Sequence, residues 1–490
     1  MWSKLLIAQA VMAAAIPLTS RNPASILLHR DGIAASAPIF SCAASNWPPN
    51  TVGKVNEPQK PSDDLASILQ NVDPARIEAT IKKLVSFGTR HTLSTQTSKT
   101  HGIGAARDWL LGEYQKIANA SNGRLSVETI SYVQEPASSV PNATLITDIV
   151  STLHGTDENR LYVISGHYDS RATDILNSVT DAPGADDDGS GVAVALELAR
   201  VMSRPDLPVL KGSVAFVAVA GEEEGLYGSK FLAQTYANST PRANIEGMIN
   251  NDIVGSPTGD DGTVDPHIIR LFAQSLPPLN VENSSVRETR LQAGGESDTP
   301  TRNLARFVKE VGENANTDME VALIYRLDRF LRSGDHLSFI NEGYPAIRFT
   351  EPRENFNHQH QDVRVVDGVQ YGDLPEFLDY DYIARVARVN GAALWSLASS
   401  PGAPTNVRVD TSTSGNNSTL YWDPPLSGEE NVGAYEVVWR PTAAPYWTDV
   451  VDVGLVNQAT LTASKDSVIF GVRTRSADGH RGVAVFPFPS

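Results

Sequence analysis

The sequence is poor in cysteine, since Cys42 is the single cysteine among 490 residues. One cysteine cannot form an intrachain disulfide, so the folded chain must depend on its apolar cores instead of crosslinks. Apolar residues make up 41% of the chain, and its length is sufficient for two or three domains with such cores. Cys42 lies in a segment rich in Ala, Ser, Pro and Asn, and we interpret it as incidental rather than as a nucleophile.

Positive charge is scarce as well. The 40 Lys and Arg residues are outnumbered by 57 Asp and Glu residues, which gives a formal charge of −17 and a pI near 5.0. An acidic surface disfavours nucleic acid and anionic membranes as partners. No stretch beyond the N-terminus is apolar for long enough to cross a bilayer, and the tail AVFPFPS is too short to signal a lipid anchor. We therefore expect no nucleic-acid partner and no membrane anchor.

The first twenty residues have the pattern of a secretory signal peptide. Lys4 supplies positive charge, and an apolar run from Leu5 to Ile16, too short for a membrane span, leads into small residues that end near Ser20. Several Asn-X-Ser/Thr sequons agree with export and predict N-glycosylation: Asn119, Asn142, Asn238, Asn283, Asn416 and Asn417. We expect a secreted, extracellular glycoprotein.

Four segments follow one another along the chain. Residues 1–20 are the predicted signal peptide, and residues 21–60 lack periodicity and are expected to form an irregular leader arm. Residues 61–400 alternate helical patterns with apolar runs such as RLYVIS and GSVAFVAVAG, which predicts a three-layer α/β fold: a mostly parallel sheet with helices on both faces. Residues 401–490 alternate apolar and polar positions between turn clusters, which predicts a small all-β sandwich.

The stretch PGADDDGSG places three mutually repelling acids on a tight turn: Asp186, Asp187 and Asp188. Other candidate ligands follow the ends of predicted buried strands: His167 and Asp169 in SGHYDS, Glu222, Glu223 and Glu224 in AGEEEG, Asp252 in NNDIVG, and His358 and His360 in NFNHQHQD. Because the carboxyl ends of the strands of an open α/β sheet border one crevice, we expect these side chains to converge.

Histidine nitrogen and carboxylate oxygen form a ligand set that suits zinc and similar divalent ions. Two histidines and three carboxylates are too many for one tetrahedral catalytic zinc that keeps a position for water. They suit two metals that share one carboxylate, about 4 Å apart and able to activate one water. The charge of such cations would also offset the repulsion within the run of three acids.

Other catalytic motifs are missing from the sequence. It contains no His-Glu-X-X-His helix of a single-zinc protease, no Gly-X-Ser-X-Gly nucleophile elbow and no Walker loop. The stretch HGIGAARDWL lacks the third glycine of a dinucleotide fingerprint, and we interpret it as the start of a helix. The metal hypothesis is therefore the strongest catalytic hypothesis for this chain.

The motifs GHYDS, GADDDGSG, GEEEGLYGS, NDIVGS and HQHQD together resemble the co-catalytic di-zinc aminopeptidase family, which includes the secreted leucine aminopeptidase-like metallopeptidases. The resemblance spans residues 61–400. It implies that His167 and Asp252 bind one zinc, that Glu223 and His358 bind the other, and that Asp187 bridges the two.

The same resemblance assigns the residues around the metals. It implies that Glu222 is the general base and that Asp169 accepts a hydrogen bond from the first histidine ligand and orients it. His360 competes with His358 as a ligand, but His358 stands four residues before Asp362, as in the His-X-X-X-Asp ending of the family. Some members place a tyrosine immediately before this last histidine, where the present chain has an asparagine.

The resemblance predicts a secreted zinc metallopeptidase that acts on peptides or proteins, most simply an aminopeptidase with a water bridged by two zinc ions. Glutaminyl cyclase-like or carboxypeptidase activity on the same scaffold, or a non-catalytic ectodomain, remain alternatives. The segment 401–490 resembles a fibronectin type III domain: Trp422 stands at the position of the core tryptophan, and Phe470 replaces the usual tyrosine. Such modules usually bind other molecules or act as spacers between domains. The sandwich is therefore a candidate binding module for an extracellular ligand.

Overall fold

The computed structural model describes residues 52–490 of the chain. The predicted signal peptide, Cys42 and most of the leader arm lie outside the described residues. Among the residues that are described, no helix combines the length and the apolar character that a membrane span requires.

A large mixed sheet forms the centre of the α/β part. After a two-residue strand, β1 (Lys54–Val55), its strands are β2 (Leu125–Gln134), β3 (Thr144–Leu153), β4 (Asp157–His167), β5 (Gly212–Val219), β6 (Ile245–Asn251), β7 (Ile268–Phe272), β8 (Glu320–Ile324) and β9 (Ala346–Thr350). They lie in the order β2-β3-β5-β4-β6-β9-β7-β8. The four central strands, β5, β4, β6 and β9, are parallel, whereas β3 and β7 run antiparallel to their central neighbours. The carboxyl ends of the central strands therefore lie at one edge of the sheet.

Helices cover both faces of this sheet, which confirms the predicted three-layer α/β fold. They are α1 (Asp63–Gln70), α2 (Pro74–Val85), α3 (Gly102–Ala120), α4 (Gly189–Met202), α5 (Tyr227–Ala237), α6 (Ser284–Gln292), α7 (Pro300–Gly312), α8 (His336–Asn341) and α9 (Tyr380–Ser399). Successive side chains of a strand point to opposite faces. On β5, Phe216 accordingly joins the core that contains α4 and α9, whereas Val217 joins the core that contains α5 and α8.

Two four-stranded sheets form the C-terminal sandwich. A hairpin, β10 (Arg364–Val366) and β11 (Val369–Tyr371), precedes α9, and the sandwich strands are β12 (Thr405–Val409), β13 (Ser418–Asp423), β14 (Ala434–Pro441), β15 (Asp449–Gly454), β16 (Gln458–Leu461), β17 (Val468–Arg475) and β18 (Phe488–Pro489). The sheets are β1-β15-β14-β17 and β16-β13-β12-β18. The leader arm thus contributes a strand to the sandwich, where Lys54 pairs with Val450.

Tryptophans fill the core of the sandwich. Trp422 and Trp439 are 2% and 1% exposed, and the indole Nε1 of Trp439 donates to the carbonyl of Val52 at 2.7 Å. Trp447 is buried as well, so of these residues none offers its ring as an open ligand platform. The aromatic Tyr446 next to it is about half exposed.

Candidate metal centre

Three of the candidate residues stand where central strands end. His167 is the last residue of β4, Glu223 follows β5, and Asp252 comes directly after β6. The backbone pairing sets His167 beside Val219, the last residue of β5. Because these strands are parallel and in register, their polar continuations meet at one edge, as the sequence predicted.

Asp187 divides its two carboxylate oxygens between two groups of potential metal ligands. Its Oδ1 lies 3.1 Å from His167 Nε2, and its Oδ2 lies 2.8 Å from His360 Nε2. The first group comprises His167, Asp187 and Asp252, the second Asp187, Glu223 and His360, and within each group the ligand atoms lie within 4.8 Å of one another. One carboxylate shared by two groups is the arrangement that a pair of neighbouring cations requires.

The structure corrects the choice of the last histidine, because His360 and not His358 reaches the centre. His360 Nε2 is 3.1 Å from Glu223 Oε2, whereas the ring of His358 stacks on Phe377 with centroids 3.6 Å apart. A turn at Asn355, whose carbonyl accepts from the N–H of His358, directs that side chain away, and the left-handed φ of 54° at His360 turns the chain back toward the ligands.

The correction also changes which residue precedes the last histidine ligand. That residue is Gln359 rather than Asn357. Gln359 is 9% exposed, and its Nε2 donates to Asp187 Oδ2 at 3.3 Å. An amide therefore stands where some members of the family have a tyrosine, and it contacts the shared carboxylate directly.

The outer two acids of the run bind backbone amides instead of ligand groups. Asp186 Oδ1 accepts from the N–H of Gly255 at 2.7 Å, and Asp188 Oδ2 accepts from the N–H of His167 at 2.9 Å. Asp188 also caps α4, because its Oδ1 accepts from the N–H of Gly191 at 3.0 Å. The three repelling acids thus have separate tasks, and two of them fasten neighbouring strand ends to the turn.

Asp169 lies behind the first histidine, where the sequence placed it. Its Oδ1 is 3.5 Å from His167 Nδ1, and its Oδ2 accepts from the N–H of Glu223 at 3.1 Å. It therefore contacts both a histidine and the segment that carries a carboxylate of the second group. A carboxylate behind a ligating histidine fixes the orientation of the ring.

Two arginines at the centre were not predicted from the sequence, because neither belongs to a recognisable motif. Arg348 on β9 is fully buried, and its Nη2 donates to Asp252 Oδ1 at 2.7 Å while its Nη1 lies 3.4 Å from Asp328 Oδ2. Arg171 donates from Nε to Glu223 Oε2 at 3.0 Å. Each arginine binds one oxygen of a candidate ligand, so the carboxylates are held in place from outside the two groups.

The crowding of acids dominates the electrostatics. Burial alone would lower the pKa of His167, but Asp169 and Asp187 raise it well above its ordinary value. Burial alone would lower the pKa of His360 as well, but Glu223 and Asp187 together raise it to about 10. Burial raises the pKa of Glu222 well above its ordinary value, and Asp252 adds to this. The centre therefore attracts positive charge strongly.

The chemistry of the residues at this centre fits zinc. Among residues 52–490, the buried oxygens without a hydrogen-bond partner include Asp169 Oδ1 and Glu223 Oε1 at this centre. Buried carboxylates are normally paired or coordinate a cation, so such oxygens indicate a site that is completed by positive charge. Imidazole and carboxylate are the ligands that zinc takes in hydrolases.

A mixed α/β sheet with histidine and carboxylate groups paired at its carboxyl edge is an arrangement suited to a zinc-dependent hydrolase. Residues 148–367 match peptidase family M28. The chain is 53% identical over 460 residues to a probable zinc metalloprotease of Pyrenophora teres f. teres (strain 0-1), with 94% of each chain covered. It is 52% identical to one of Pyricularia oryzae, with 98% of this chain and 94% of that chain covered. This protein belongs to peptidase family M28 and is a zinc metallopeptidase.

The LapA aminopeptidase of Legionella pneumophila is 17% identical, with a TM-score of 0.49, and the match covers 71% of this chain and 77% of that chain.

Proposed function

We propose that the protein is an exported aminopeptidase that binds two zinc ions per chain. His167 and Asp252 would hold one ion, Glu223 and His360 the other, and Asp187 would contact both. The observation that carries the proposal is the division of the Asp187 oxygens between two ligand groups, at 3.1 Å from His167 Nε2 and 2.8 Å from His360 Nε2. The resemblance of the motifs to the di-zinc aminopeptidases supports attack at the amino terminus.

The residues of the chain divide the catalytic work. Zinc, when bound, polarises the scissile carbonyl and makes a water molecule a better nucleophile. Glu222 stands next to a ligand but belongs to neither ligand group. It takes a proton from the attacking water and returns it to the leaving amine. Asp169 keeps the His167 ring oriented through both stages.

Export is supported by the leader and by the sequons. The signal-like pattern lies in residues 1–20, outside the described residues. All sequon asparagines are exposed: Asn119, Asn142, Asn238, Asn283, Asn416 and Asn417. Each is therefore accessible to a glycan, which is a requirement for modification in the secretory pathway.

The test combines metal analysis with a peptide panel. The full-length protein is purified, its zinc is measured by mass spectrometry, and its rate is measured on peptides with free or acetylated amino termini, amidated carboxyl termini, or N-terminal glutamine. We expect about two zinc ions per chain and cleavage that requires a free amino terminus. Cleavage that requires a free carboxyl terminus, cyclisation of the glutaminyl peptide without cleavage, or a protein without zinc would each contradict the proposal.

Glu222→Gln tests the assignment of the base. This variant keeps the shape of the side chain, so we expect it to retain zinc and to lose turnover on the order of a hundredfold or more. Glu224→Gln is the matched control, because Glu224 Oε1 lies 3.2 Å from His91 Nε2 rather than among the ligands. A Glu222→Gln protein with a near-normal rate would remove Glu222 from this role.

A further inference from the structure

The turn that carries Asp187 has no regular structure of its own. It lies between the exit of β4 and the first residue of α4, and Asp187 must face His167 and His360 at the same time. Reactive geometries of this kind tolerate errors of only about 0.5 Å. The question is which groups fix the backbone of this turn.

Arg90 binds the backbone of the first half of the turn. The side chain is fully buried, and its guanidinium donates to the carbonyls of Pro183 and of Gly184, the latter at 2.8 Å. Its Nε donates to the carbonyl of Tyr168 at 2.7 Å. Because Tyr168 follows His167 directly, one guanidinium joins the segment of the first histidine to the turn of the shared carboxylate.

Asp373 binds the second half of the same turn. It is 7% exposed, its Oδ1 accepts from the N–H of Asp186 at 2.8 Å, and its Oδ2 accepts from the N–H of Asp187 at 2.8 Å. The backbone carbonyl of Asp373 also accepts from the N–H of Ala185 at 3.3 Å. Both carboxylate oxygens are thus used on the main chain of the acids themselves.

We propose that Arg90 and Asp373 are positioning residues that set the separation between the Asp187 carboxylate and the two histidines. This inference rests on the proposed two-zinc function. The guanidinium holds the carbonyls of residues 183 and 184, and the carboxylate holds the N–H groups of residues 186 and 187, so side chains of opposite charge fix both halves of the turn. Neither residue belongs to a ligand group, and each acts on the metals through the backbone of the turn.

Ser170 strengthens the attachment of Arg90. Its Oγ accepts from the N–H of Arg90 at 3.1 Å and donates to the carbonyl of Ala182 at 2.7 Å. The hydroxyl therefore links the main chain of Arg90 to Ala182, the residue directly before the turn. Removing it changes little volume, so Ser170→Ala offers a milder disturbance of the same contacts.

Zinc affinity of the full-length protein provides the test. Protein is equilibrated at graded free zinc set by chelator buffers, and zinc content is measured alongside the visible spectrum of the cobalt-substituted form. Arg90→Lys cannot reproduce a planar fork to three carbonyls, and Asp373→Asn turns an amide donor toward an N–H group. We expect both variants to bind zinc roughly 10- to 100-fold more weakly, with altered cobalt bands, and Ser170→Ala to be affected less but in the same direction.

Arg440→Lys is the matched control for burial. Arg440 is 2% exposed, and it donates to the carbonyl of Ala444 at 2.7 Å in the sandwich. We expect this variant to lose thermal stability while keeping wild-type zinc affinity. Zinc binding that is unchanged in Arg90→Lys and Asp373→Asn, or weakened equally in Arg440→Lys, would overturn the inference. If those two variants do not fold, an unchanged zinc affinity in Ser170→Ala overturns it. A wild-type protein without zinc would instead overturn the proposed function.

Discussion

His358 and His360 stand two residues apart and have different surroundings, which makes them a matched pair for mutation. His360→Ala removes a nitrogen that lies 2.8 Å from Asp187 and 3.1 Å from Glu223. We expect zinc content to fall from about two ions to about one per chain, because one ligand group then lacks its only histidine. His358→Ala should keep both ions, since its ring packs on Phe377. Zinc measured by mass spectrometry after dialysis separates the outcomes, and a loss of zinc in His358→Ala alone would reverse the correction.

Asp328 pairs with Arg348, the arginine that binds Asp252, and this ion pair makes the stability of the fold depend on pH. Burial alone would raise the pKa of Asp328, but Arg348 and Arg329 hold it well below its ordinary value. A depressed carboxyl pKa stabilises the fold above the unfolded pKa of about 3.9, and this stabilisation is lost as the pH falls further. We expect Asp328→Asn to lower the free energy of unfolding at pH 7 by about 3 kcal/mol.

The pH profile of this variant is the more specific measurement. The difference in urea midpoint between wild type and Asp328→Asn should narrow as the pH is lowered from 5 to 3. The exposed Asp260→Asn is the control and should match wild type throughout. A constant difference over this pH range would show that the charge of Asp328 is not what stabilises the fold.

The sequence predicted residues that act through their own side-chain chemistry. His167, Glu223 and Asp252 follow apolar strands, so their convergence could be inferred from strand direction alone. The choice of His360 could not, because it depends on a left-handed backbone at that residue. Arg90 and Asp373 were missed for another reason: they bind main-chain atoms, and no spacing in the sequence records such a contact.

The elements were predictable where local pattern decides them. The apolar runs indicated the central strands, but the antiparallel pairing of β3 and β7 depends on contacts distant in sequence. The strand β1 was missed because Lys54–Val55 is too short to show alternation, and it forms only against β15. Pairing direction and edge strands therefore required the tertiary structure.

The contact between β4 and α4 is unusually close, and a glycine permits it. A Cβ added at Gly166 would lie 2.4 Å from the backbone carbon of Gly191. We expect Gly166→Ala to push α4 away from the strand that ends in His167 and to destabilise the protein by about 1–3 kcal/mol. Gly112→Ala in α3 is the control: its added Cβ meets no atom within 4 Å, so it should stabilise by about 0.5–1 kcal/mol. Urea midpoints measure both, and a Gly166→Ala protein as stable as wild type would contradict this packing argument.

Taken as a whole, the described chain is one compact unit in which the sandwich packs on the α/β part. Arg160 on β4 donates to the carbonyl of Ser400 at 2.9 Å, where the sandwich segment begins. His167 stands seven residues further along the same strand, about 23 Å away at ~3.3 Å per residue. The sandwich therefore contacts the end of β4 that is remote from the metal centre, and we expect it to affect stability rather than catalysis.

Asp298 is a buried anion that joins the two parts at this contact. It is 1% exposed, and its carboxylate accepts from Arg306 of α7 at 3.0 Å and from Arg440 of β14 at 2.7 Å. Asp298→Asn leaves two buried guanidinium groups without their shared anion, and breaking such a group typically costs about 3–5 kcal/mol. We expect the denaturant midpoint to fall by a corresponding amount, while kcat/KM of the folded enzyme stays within about twofold, because the metal centre lies at the other end of β4.

Asp466→Asn, at an exposed position of the sandwich, should change neither quantity. A normal midpoint in Asp298→Asn would mean that the two parts fold independently of this interface, and a selective loss of kcat/KM would mean that the sandwich acts on the metal centre.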